Sequence, residues 1–341
     1  MKAADISGQA PGGQRLKLAD RVPLDTPLVV QFHPVKLCNF RCKYCGFSMK
    51  AAERPYLSDR TEMDFELYKK GVNEMLLFPS RIKALKLAGM GEPLIYKRAA
   101  EMIAYATAKQ AAEKTEIISN GFLLSKNISR RLIDAGLSRL VLSIQGTSGE
   151  KYLEVCGKQL DFKEFVENIR YFYENRGNTH VYIKIVDIAL DGKEDRQKFF
   201  DIFGDICDTI GIENAVPIHP GLEFNETLKS KGISSTQFGM PLNDENVICP
   251  QPFFLMHITP DGKVIPCCAF KYPLYVGDLT KQTLPEIWNG QEFNTFRKAM
   301  LSGVRSCKVC AECDINTYRM LPEDDLSGSA ERLKKYYSGK K

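Results

Sequence analysis

Between residues 28 and 219 the chain alternates short apolar runs with longer segments in which apolar residues recur every three or four positions. A short apolar run bounded by turn residues is typical of a strand buried on both faces, and the longer spacing is typical of an amphipathic helix. The predicted strands are LVVQF (28–32), KALKLA (83–88), TEIIS (115–119), RLVLSI (139–144), HVYIKIV (180–186) and NAVPIH (214–219). The predicted helices include DFELYKKGVNEMLLF, YKRAAEMIAYATAKQAAEK and KEFVENIRYFYENR.

The repeated order of strand and then helix predicts an α/β fold. Strands joined by helices run parallel, and the crossover connections between them are right-handed. Six such units are fewer than the eight of a closed barrel, so we expect an open, partial (β/α)6 barrel of the TIM type. In such folds the functional residues lie at the carboxyl ends of the strands and in the loops that follow them.

The pattern changes after about residue 225. A polar stretch follows, and beyond it the short strands FFLMHIT and KVIPCC flank the turn PDG among closely spaced Cys, Pro and Gly residues. A segment with so little apolar sequence is expected to form a small domain held together by metal. The predicted division is an N-terminal arm (1–26), a barrel domain (27–225), a linker or lid (226–248), a cysteine-rich domain (249–320) and a charged tail (321–341).

Composition narrows the class of protein further. With 341 residues, 44% apolar and 26% charged, and a net charge of only +5, the chain is typical of a globular protein and not of a nucleic-acid binder. No apolar stretch is long enough for a secretion signal or a membrane span, so we expect a cytoplasmic protein without a membrane partner. In that compartment eleven cysteines favour metal-binding or redox sites over a disulfide framework.

The first candidate metal site is the stretch VKLCNFRCKYCGFS, which directly follows the first predicted strand. It places Cys38, Cys42 and Cys45 at the spacing C-x3-C-x2-C. Three thiolates can hold zinc together with a fourth ligand from elsewhere, or three corners of a [4Fe–4S] cluster whose remaining iron stays open. The spacing alone does not decide between these two kinds of site.

The position of this loop in the predicted fold adds to its spacing. Because the loop follows the first strand of a β/α barrel, and because Tyr44 precedes the third cysteine, it resembles the cluster loop of the radical S-adenosylmethionine enzymes. The resemblance implies a [4Fe–4S] cluster on Cys38, Cys42 and Cys45. It also implies that the amino and carboxylate groups of S-adenosylmethionine chelate the open iron.

The ends of the next three predicted strands are similar to motifs of the same family. The second strand ends AGMGEPL, the third ISNGF and the fourth LSIQG. The family usually has two adjacent glycines before the acid of the first motif, so Met90 is a departure, tolerable because a backbone carbonyl makes the contact there. Taken singly, these are common turns or strand residues. The resemblance implies that S-adenosylmethionine is bound by Tyr44, Met90, Gly91, Glu92, Ser119, Asn120 and Ser143, and that Gln145 faces the substrate.

A second group of cysteines lies in the C-terminal region. Four thiolates from a hairpin and a later C-x2-C loop can hold an iron–sulfur cluster or a structural zinc ion. The stretch from Cys249 through Gly262-x4-Cys267 to SCKVCAEC resembles the SPASM extension of the family in its shortened twitch form, which implies one auxiliary iron–sulfur cluster, expected to be [4Fe–4S]. The expected ligands are Cys249, Cys267, Cys307 and Cys310, with Cys313 as an alternative to Cys310 and with Cys268 beside the cluster or the substrate.

Candidates for catalytic groups are polar residues at strand ends or in the segment that leads to the C-terminal region. Cys156 and Cys268 are candidates for returning a hydrogen atom to a substrate radical, and Lys184 and Arg297 for balancing substrate charge. Each of these residue types is more often a hydrogen-bonded or packed structural group. The candidates for a proton acceptor are Asp187, His219, Glu223 and His257.

The resemblance also implies a reaction. Enzymes of this family reductively cleave S-adenosylmethionine to a 5′-deoxyadenosyl radical, which removes a hydrogen atom from the substrate. An auxiliary cluster favours loss of a further electron, so we expect dehydrogenase-type oxidation of a small polar substrate such as a sugar or an aminocyclitol, with flavodoxin or ferredoxin as reductant. Only 37 residues precede Cys38, fewer than the ~80 of the leader-peptide-binding domain in many peptide modifiers.

Three alternatives stay open. A peptide-modifying enzyme, of the sulfatase-maturation type or acting on ribosomally made peptides, could use a separate recognition protein. A redox-neutral epimerase would use Cys156 or Cys268 as its hydrogen donor. A metal-stapled electron-transfer or binding protein would explain the cysteines but not Gly89–Pro93, Ser119–Gly121 or Ser143.

Overall fold

The computed structural model describes residues 1–11, 15–50, 53–54, 60–219, 221–230, 232–242 and 248–339. The described strands are β1 (Ala4–Asp5), β2 (Val29–Phe32), β3 (Ile82–Leu87), β4 (Ala112–Ser119), β5 (Arg139–Ile144), β6 (His180–Val186), β7 (Thr209–Glu213), β8 (Leu255–Ile258), β9 (Lys263–Ile265) and β10 (Gly277–Asp278). They form one ten-stranded sheet in the order β1-β7-β6-β5-β4-β3-β2-β8-β9-β10.

Strands β2 to β7 follow one another across the sheet in chain order, and each pair of neighbours is parallel. Helices connect them, so the predicted α/β fold with a partial (β/α)6 barrel is confirmed. The described helices are α1 (Phe65–Met75), α2 (Ala99–Ala108), α3 (Lys126–Asp134), α4 (Gly149–Cys156), α5 (Phe162–Asn175), α6 (Gly192–Phe203), α7 (Glu223–Ser230), α8 (Leu284–Asn289), α9 (Gln291–Leu301), α10 (Lys308–Ala311), α11 (Ile315–Arg319) and α12 (Ala330–Gly339).

Polar capping residues determine where several barrel helices begin. The Asp64 carboxylate accepts hydrogen bonds from Glu66 N at 2.8 Å and Leu67 N at 3.2 Å at the start of α1. Ser148 Oγ accepts one from Lys151 N at 3.2 Å at the start of α4. A cap of this kind stabilises a helix by ~1 kcal/mol. The caps thereby fix where the loops between the strands and these helices end. These loops surround the candidate site.

Two predicted elements have different boundaries in the structure. The sixth barrel strand is Thr209–Glu213, and the predicted strand NAVPIH (214–219) is not one, because Pro217 has no N–H to contribute to a ladder. The helical pattern predicted over 96–114 ends at Ala108, and β4 already begins at Ala112. Both errors displace boundaries and leave the order of the elements unchanged.

The C-terminal region continues the barrel sheet. β8 pairs in parallel with β2, with Val29 opposite Leu255 and Phe32 opposite Ile258. β9 and β10 then extend the sheet as antiparallel neighbours. The strand that leads into the first cysteine loop is therefore also the strand on which the cysteine-rich region is built.

Both ends of the described chain pack against this core. β1 is parallel to β7, and the aromatic ring of Tyr337 in α12 lies 6.0 Å from that of Phe253, measured between centroids. The predicted division at residues 26, 225, 248 and 320 stays a prediction. Of the helices in the described ranges, none is both long and apolar enough to span a bilayer.

Candidate active site

A cavity of about 450 Å³ lies at the carboxyl ends of the barrel strands. Its walls include the cysteine loop after β2, the turns after β3 and β4, the last residues of β5, β6 and β7, and the segment 268–270. Parallel strands place their carboxyl ends along one edge of the sheet, where the loops that follow can converge. This cavity is therefore the candidate active site.

The first cysteine loop is anchored to the C-terminal end of α4 by its backbone. Arg41 N donates to Cys156 O at 2.9 Å, and Lys43 N donates to Val155 O at 3.0 Å. The three cysteines of the loop, at positions 38, 42 and 45, all line the cavity. Their spacing in the sequence and this anchor together place three thiols along one wall.

The environment of these thiols fits a metal cluster. Burial, as the largest effect, raises the pKa of Cys38 to about 11 and also raises the pKa of Cys45. Thiols with such pKa values are protonated at neutral pH, and metal coordination displaces the proton. Three thiols on the wall of a larger cavity leave space for a cosubstrate beside them. Among the described residues, no group of three His, Cys, Asp or Glu side chains converges closely enough to hold a single metal ion.

Two glycines in the turn after β3 let the chain pass close to β2 and the cysteine loop. Gly89 has a φ of +115°, and a Cβ there would lie 2.4 Å from His33 Nε2. Gly91 has a φ of +131°, and a Cβ there would lie 2.4 Å from Val35 O. A side chain at either position would be strained and would collide. Met90, between the two glycines, lines the cavity.

The carboxylate of Glu92 connects two turns of the site. Its Oε1 accepts hydrogen bonds from Leu94 N at 3.0 Å and Ser119 Oγ at 2.7 Å, and its Oε2 accepts one from Asn120 N at 2.7 Å. Burial raises the pKa of Glu92, and the three hydrogen bonds oppose that rise. Glu92 thus holds the turn after β4 against the turn after β3. Its contact with the ammonium group of S-adenosylmethionine stays a prediction.

Asn120 extends this set of hydrogen bonds to the cysteine loop. Its Nδ2 donates to Asn39 Oδ1 at 2.8 Å and lies 4.0 Å from Cys38 Sγ. Its Oδ1 accepts from Phe122 N at 3.0 Å. Asn120 and Ser119 both line the cavity. The turn after β4 is therefore positioned from both sides, and its predicted contact with the cosubstrate is compatible with that position.

Tyr44, Ser143 and Gln145 lie together on another part of the wall. The Tyr44 hydroxyl donates to Gln145 Oε1, and Gln145 Nε2 donates to Ser143 O at 3.0 Å. All three residues line the cavity. Burial raises the pKa of Tyr44, so its hydroxyl is neutral and acts as a donor. Their predicted contacts with S-adenosylmethionine and substrate stay predictions.

The second group of cysteines surrounds a smaller cavity of about 30 Å³. Cys249, Cys267, Cys310 and Cys313 line it, whereas Cys307 lies beside Cys310. Burial is the largest effect on all four lining thiols: it raises the pKa of Cys249 to about 12 and that of Cys313 to about 11, and it also raises the pKa of Cys267 and Cys310. We therefore favour Cys313 over Cys307 as the fourth ligand, whereas the sequence-based prediction used Cys307 and considered Cys313 as a substitute for Cys310.

Adjacent residues of one segment face the two cavities. Cys267 lines the smaller cavity, Cys268 lines the larger one, and Ala269 lines both. The side chain of Gln251 holds Cys268 in place, because its Oε1 accepts from Cys268 N at 2.7 Å and its Nε2 donates to Cys268 Sγ at 3.1 Å. A single backbone segment thus separates the two cysteine-lined spaces.

Three of the six candidate catalytic residues line the larger cavity, and three do not. Among the described residues, the larger cavity is lined by His219, His257 and Cys268 and not by Asp187, Glu223 or Cys156. Asp187 Oδ1 accepts a hydrogen bond from Ala215 N at 2.8 Å, and Glu223 is exposed on α7. The Cys156 thiol is buried and donates to Tyr152 O at 3.0 Å.

Arg297, predicted to balance substrate charge, lies outside the larger cavity. It is 2% exposed, and its guanidinium donates to Pro252 O at 3.0 Å and to Trp288 O. The guanidinium carbon also lies 4.0 Å from the centre of the Trp288 ring. Its contacts are those of a structural residue that joins α9 to the start of the C-terminal region.

His257 was predicted from the sequence, but the chain of polar side chains to which it belongs on the cavity wall was not. Gln31 Nε2 lies 3.3 Å from His33 Nε2, which lies 3.3 Å from His257 Nδ1. Burial lowers the pKa of His33 to about 4 and holds the pKa of His257 well below its usual value. Both rings are therefore neutral at pH 7. The alternation of β2 contained the relevant information, since Gln31 and His33 share a face of an otherwise apolar strand.

Lys184 was also predicted from the sequence, but the ionic network that joins it to distant parts of the chain was not. Lys184 Nζ lies 2.7 Å from Glu213 Oε2, to which Gln237 Nε2 also donates at 2.7 Å. Arg319 Nε in turn donates to Gln237 Oε1. All four residues line the larger cavity. No local motif connects them, so no sequence pattern could have grouped them.

Two family models match the chain. The model of the Radical SAM superfamily matches residues 33–201, and that of the SPASM iron–sulfur cluster-binding domain matches residues 249–314. The two matches cover the barrel with the first cysteine loop and the region with the second cysteine group. They agree with the order in which the two sites occur along the chain.

Individual relatives are more distant. The chain is 23% identical, over 82% of its length and 91% of the relative, to the S-adenosyl-L-methionine-dependent 2-deoxy-scyllo-inosamine dehydrogenase of Niallia circulans. It is 28% identical to a GTP 3′,8-cyclase of Helicobacter pylori over 47% of its own length and 46% of the cyclase, so it spans less than half of that relative. The structure of Streptococcus suis SuiB bound to precursor peptide SuiA superposes with a TM-score of 0.60 at 16% identity, over 86% of this chain and 72% of SuiB.

Proposed function

The chain belongs to the radical SAM superfamily as an enzyme with a C-terminal SPASM domain, and we propose that it oxidises a small polar substrate as a dehydrogenase. Its cofactors are a [4Fe–4S] cluster with S-adenosylmethionine and an auxiliary iron–sulfur cluster. The residues proposed to hold them are Cys38, Cys42 and Cys45 for the first and Cys249, Cys267, Cys310 and Cys313 for the second.

This proposal depends mainly on one observation, that a single backbone segment separates the two cysteine-lined cavities. A molecule in the larger cavity would be bounded by the first cysteine loop and by Cys268 and Ala269, next to the second cysteine group. When bound, the cofactors supply the abstraction of a hydrogen atom on one side and the acceptance of an electron on the other. Such an arrangement suits a net oxidation by two electrons better than a redox-neutral reaction.

The protein itself must take a proton, because oxidation of an alcohol to a ketone removes a hydrogen atom, an electron and a proton. His257 is the acceptor that we infer, since its ring is neutral, lines the cavity and contacts a second imidazole, His33, to which the proton can pass. His219 is less suited, because its ring packs against the apolar ring of Phe270, at 5.3 Å between centroids, and not against a second imidazole that could take the proton on.

A sugar or an aminocyclitol is the proposed substrate class. It is supported by the dehydrogenase relative, which aligns over 91% of its length. The cavity of about 450 Å³ also falls in the range of roughly 300–1,000 Å³ that is usual for small-molecule sites. A cytoplasmic location and flavodoxin or ferredoxin as the electron donor belong to the same proposal.

A peptide substrate is the second candidate, and the likeness to SuiB, which binds the precursor peptide SuiA, favours it. A third reaction, redox-neutral epimerisation, would have to use Cys268 as hydrogen donor, because Cys156 does not line the larger cavity within the described part of the chain.

The proposal is tested with anaerobically reconstituted enzyme, S-adenosylmethionine, a strong reductant and panels of cyclitols, sugars and short peptides. We expect 5′-deoxyadenosine together with a ketone from a cyclitol or sugar, and at least a ~10²-fold lower turnover number in His257→Gln than in His219→Gln. A product with an inverted stereocentre that is lost in Cys268→Ala, while 5′-deoxyadenosine still forms, would contradict the dehydrogenase proposal.

A further inference from the structure

We propose that Arg319 and Lys184 form a subsite in the larger cavity for one carboxylate group of the substrate. This inference rests on the proposed function, because it names a chemical feature of the molecule that occupies the same cavity. It predicts that the substrate is a small polar compound that carries one carboxylate, such as a sugar acid or a carboxylated cyclitol.

The charge of Lys184 is already balanced within the protein. Glu213 is 4% exposed, and its carboxylate receives Lys184 Nζ and Gln237 Nε2 at 2.7 Å each and the Tyr182 hydroxyl at 3.3 Å. Burial opposes ionisation of Glu213, yet the charge of Lys184 and the hydrogen bonds keep the pKa of Glu213 below its usual value. Glu213 is therefore an anion at neutral pH and neutralises one cation.

Arg319, by contrast, forms no ion pair with a carboxylate in the described part of the chain. Its Nε donates to Gln237 Oε1. Arg319 also lines the larger cavity. The edge formed by its two terminal nitrogens can donate two parallel hydrogen bonds, a geometry that matches a carboxylate.

The network carries a net positive charge. Lys184 and Arg319 contribute two positive charges and Glu213 one negative charge, so the network itself keeps one positive charge. Glu92 also lines the cavity, but it lies outside this network, and its carboxylate is hydrogen-bonded to the two turns that it connects. One carboxylate neutralises the remainder, whereas a phosphate dianion would leave an uncompensated charge in a partly buried site, which is costly.

The origin of the four residues explains what the subsite would do. Lys184 and Glu213 lie on neighbouring barrel strands, and their network is completed by Gln237 and Arg319 from later in the chain. Gln237 N also donates to Tyr318 O at 2.8 Å, which ties its segment to α11. A substrate carboxylate bound here would contact the barrel and the C-terminal region together and would orient the molecule between the two cysteine groups.

The test uses trifluoroacetate as the probe and fluorine NMR as the readout, with reconstituted enzyme and saturating S-adenosylmethionine. We expect saturable line broadening with the wild-type protein and at least a ~10-fold weaker affinity in Arg319→Gln. Arg319→Lys keeps the charge but loses the two-pronged donor, so an intermediate affinity is expected. Arg196→Gln, an identical change at an exposed position on α6, is the matched control and should bind trifluoroacetate like the wild type.

Two further probes make the outcome decisive. Trifluoroethanol, which has no charge, should not bind, and fluorophosphate, a dianion, should bind more weakly than trifluoroacetate. Tighter binding of fluorophosphate would overturn the assignment to a carboxylate. Trifluoroacetate that binds only when S-adenosylmethionine is left out would assign Arg319 to the cosubstrate and would overturn the inference, as would the absence of saturable binding under both conditions.

The same samples separate this inference from the proposed function. If 5′-deoxyadenosine and a ketone form but trifluoroacetate does not bind, only the carboxylate subsite is wrong. If trifluoroacetate binds through Arg319 but the product is an epimer or a modified peptide, the subsite stands and the dehydrogenase proposal is wrong. Iron content and circular dichroism of Arg319→Gln and Arg319→Lys exclude loss of the fold as the cause of weaker binding.

Discussion

The two cysteine sites of this protein are built in opposite ways. Cys38, Cys42 and Cys45 lie in one short loop, which backbone hydrogen bonds to α4 help to hold on the wall of the larger cavity. The second group extends from Cys249 to Cys313 and meets only after β8, β9 and the helices α10 and α11 have packed. Local sequence therefore groups the three thiols of the first site, whereas the tertiary structure brings together those of the second.

This difference also separates the two kinds of function. The first loop lines the larger cavity directly, so loss of one thiol there should stop the reaction at its start. The second group lines its own cavity and reaches the larger one only through the neighbouring residues Cys268 and Ala269. Loss of one thiol there should leave the start of the reaction intact.

The largest effect is expected for Cys42→Ala. Loss of one of three ligands should abolish formation of 5′-deoxyadenosine, because no other described cysteine of the loop can replace it. The measurement is the yield of 5′-deoxyadenosine from reconstituted protein, with wild type as the reference. Retention of more than a tenth of the wild-type yield would show that the first site is not built as we describe.

Cys267→Ala should have a smaller effect than Cys42→Ala on the formation of 5′-deoxyadenosine. This variant should still form 5′-deoxyadenosine but should lose the oxidised product, and its iron content should fall from about eight to about four per chain. Iron analysis and product chromatography check both parts. Oxidised product from a variant that has lost half of its iron would mean that the second site takes no electron from the substrate.

The identity of the fourth ligand of the second site can be tested in the same way. Because Cys313 lines the smaller cavity and Cys307 does not, Cys313→Ala should lose about four irons per chain, and Cys307→Ala should keep about eight. The two variants are matched, since each removes one thiol from the same segment. The reverse pattern of iron contents would restore the ligand set expected from the sequence.

The smallest effect concerns the contact between β2 and β8 that joins the two regions. His33 has a pKa of about 4 in the folded protein against 6.5 as its usual value. The unfolded chain therefore binds more protons than the folded chain between these values, so the stability contributed by neutral His33 is present above pH 6.5 and is lost as the pH falls towards 4.

Between pH 7.5 and 5.5 this loss amounts to about 1.4 kcal/mol of the free energy of unfolding. His33→Gln should not show this loss. Chemical denaturation of both proteins at the two pH values measures the change in the free energy of unfolding. An equal loss of stability in the variant and the wild type would show that His33 is not held neutral by burial.

Much of the barrel was predictable because its patterns are local. Five of the six predicted strands overlap observed ones, since each is a short apolar run with its turn residues beside it. The sixth was placed too late because Thr209–Glu213 contains a glycine and ends in an acid, whereas the following segment is more apolar. The cysteine loop and the turns with Gly91 and Asn120 were found for the same reason as the strands.

The role of Glu92 shows where local prediction ends. Its position in the turn was predicted, but its three hydrogen bonds to Leu94, Ser119 and Asn120 depend on how two neighbouring strands pack. The contact of His33 with His257 and that of Arg319 with Gln237 are of the same kind. Each joins residues that are far apart in sequence and have no common motif.

The sequence by itself determined the α/β class, the order of the barrel strands, the first cysteine loop and the family to which it points. Each of these features depends on the pattern of residues within a short segment, and that pattern can be read from the sequence alone. Only the tertiary structure decided that Cys313 lines the second site, that Cys156 is buried behind the first cysteine loop and that Lys184 and Arg319 share a wall. Such choices depend on which way side chains point once distant segments have packed, and that is set by the whole core.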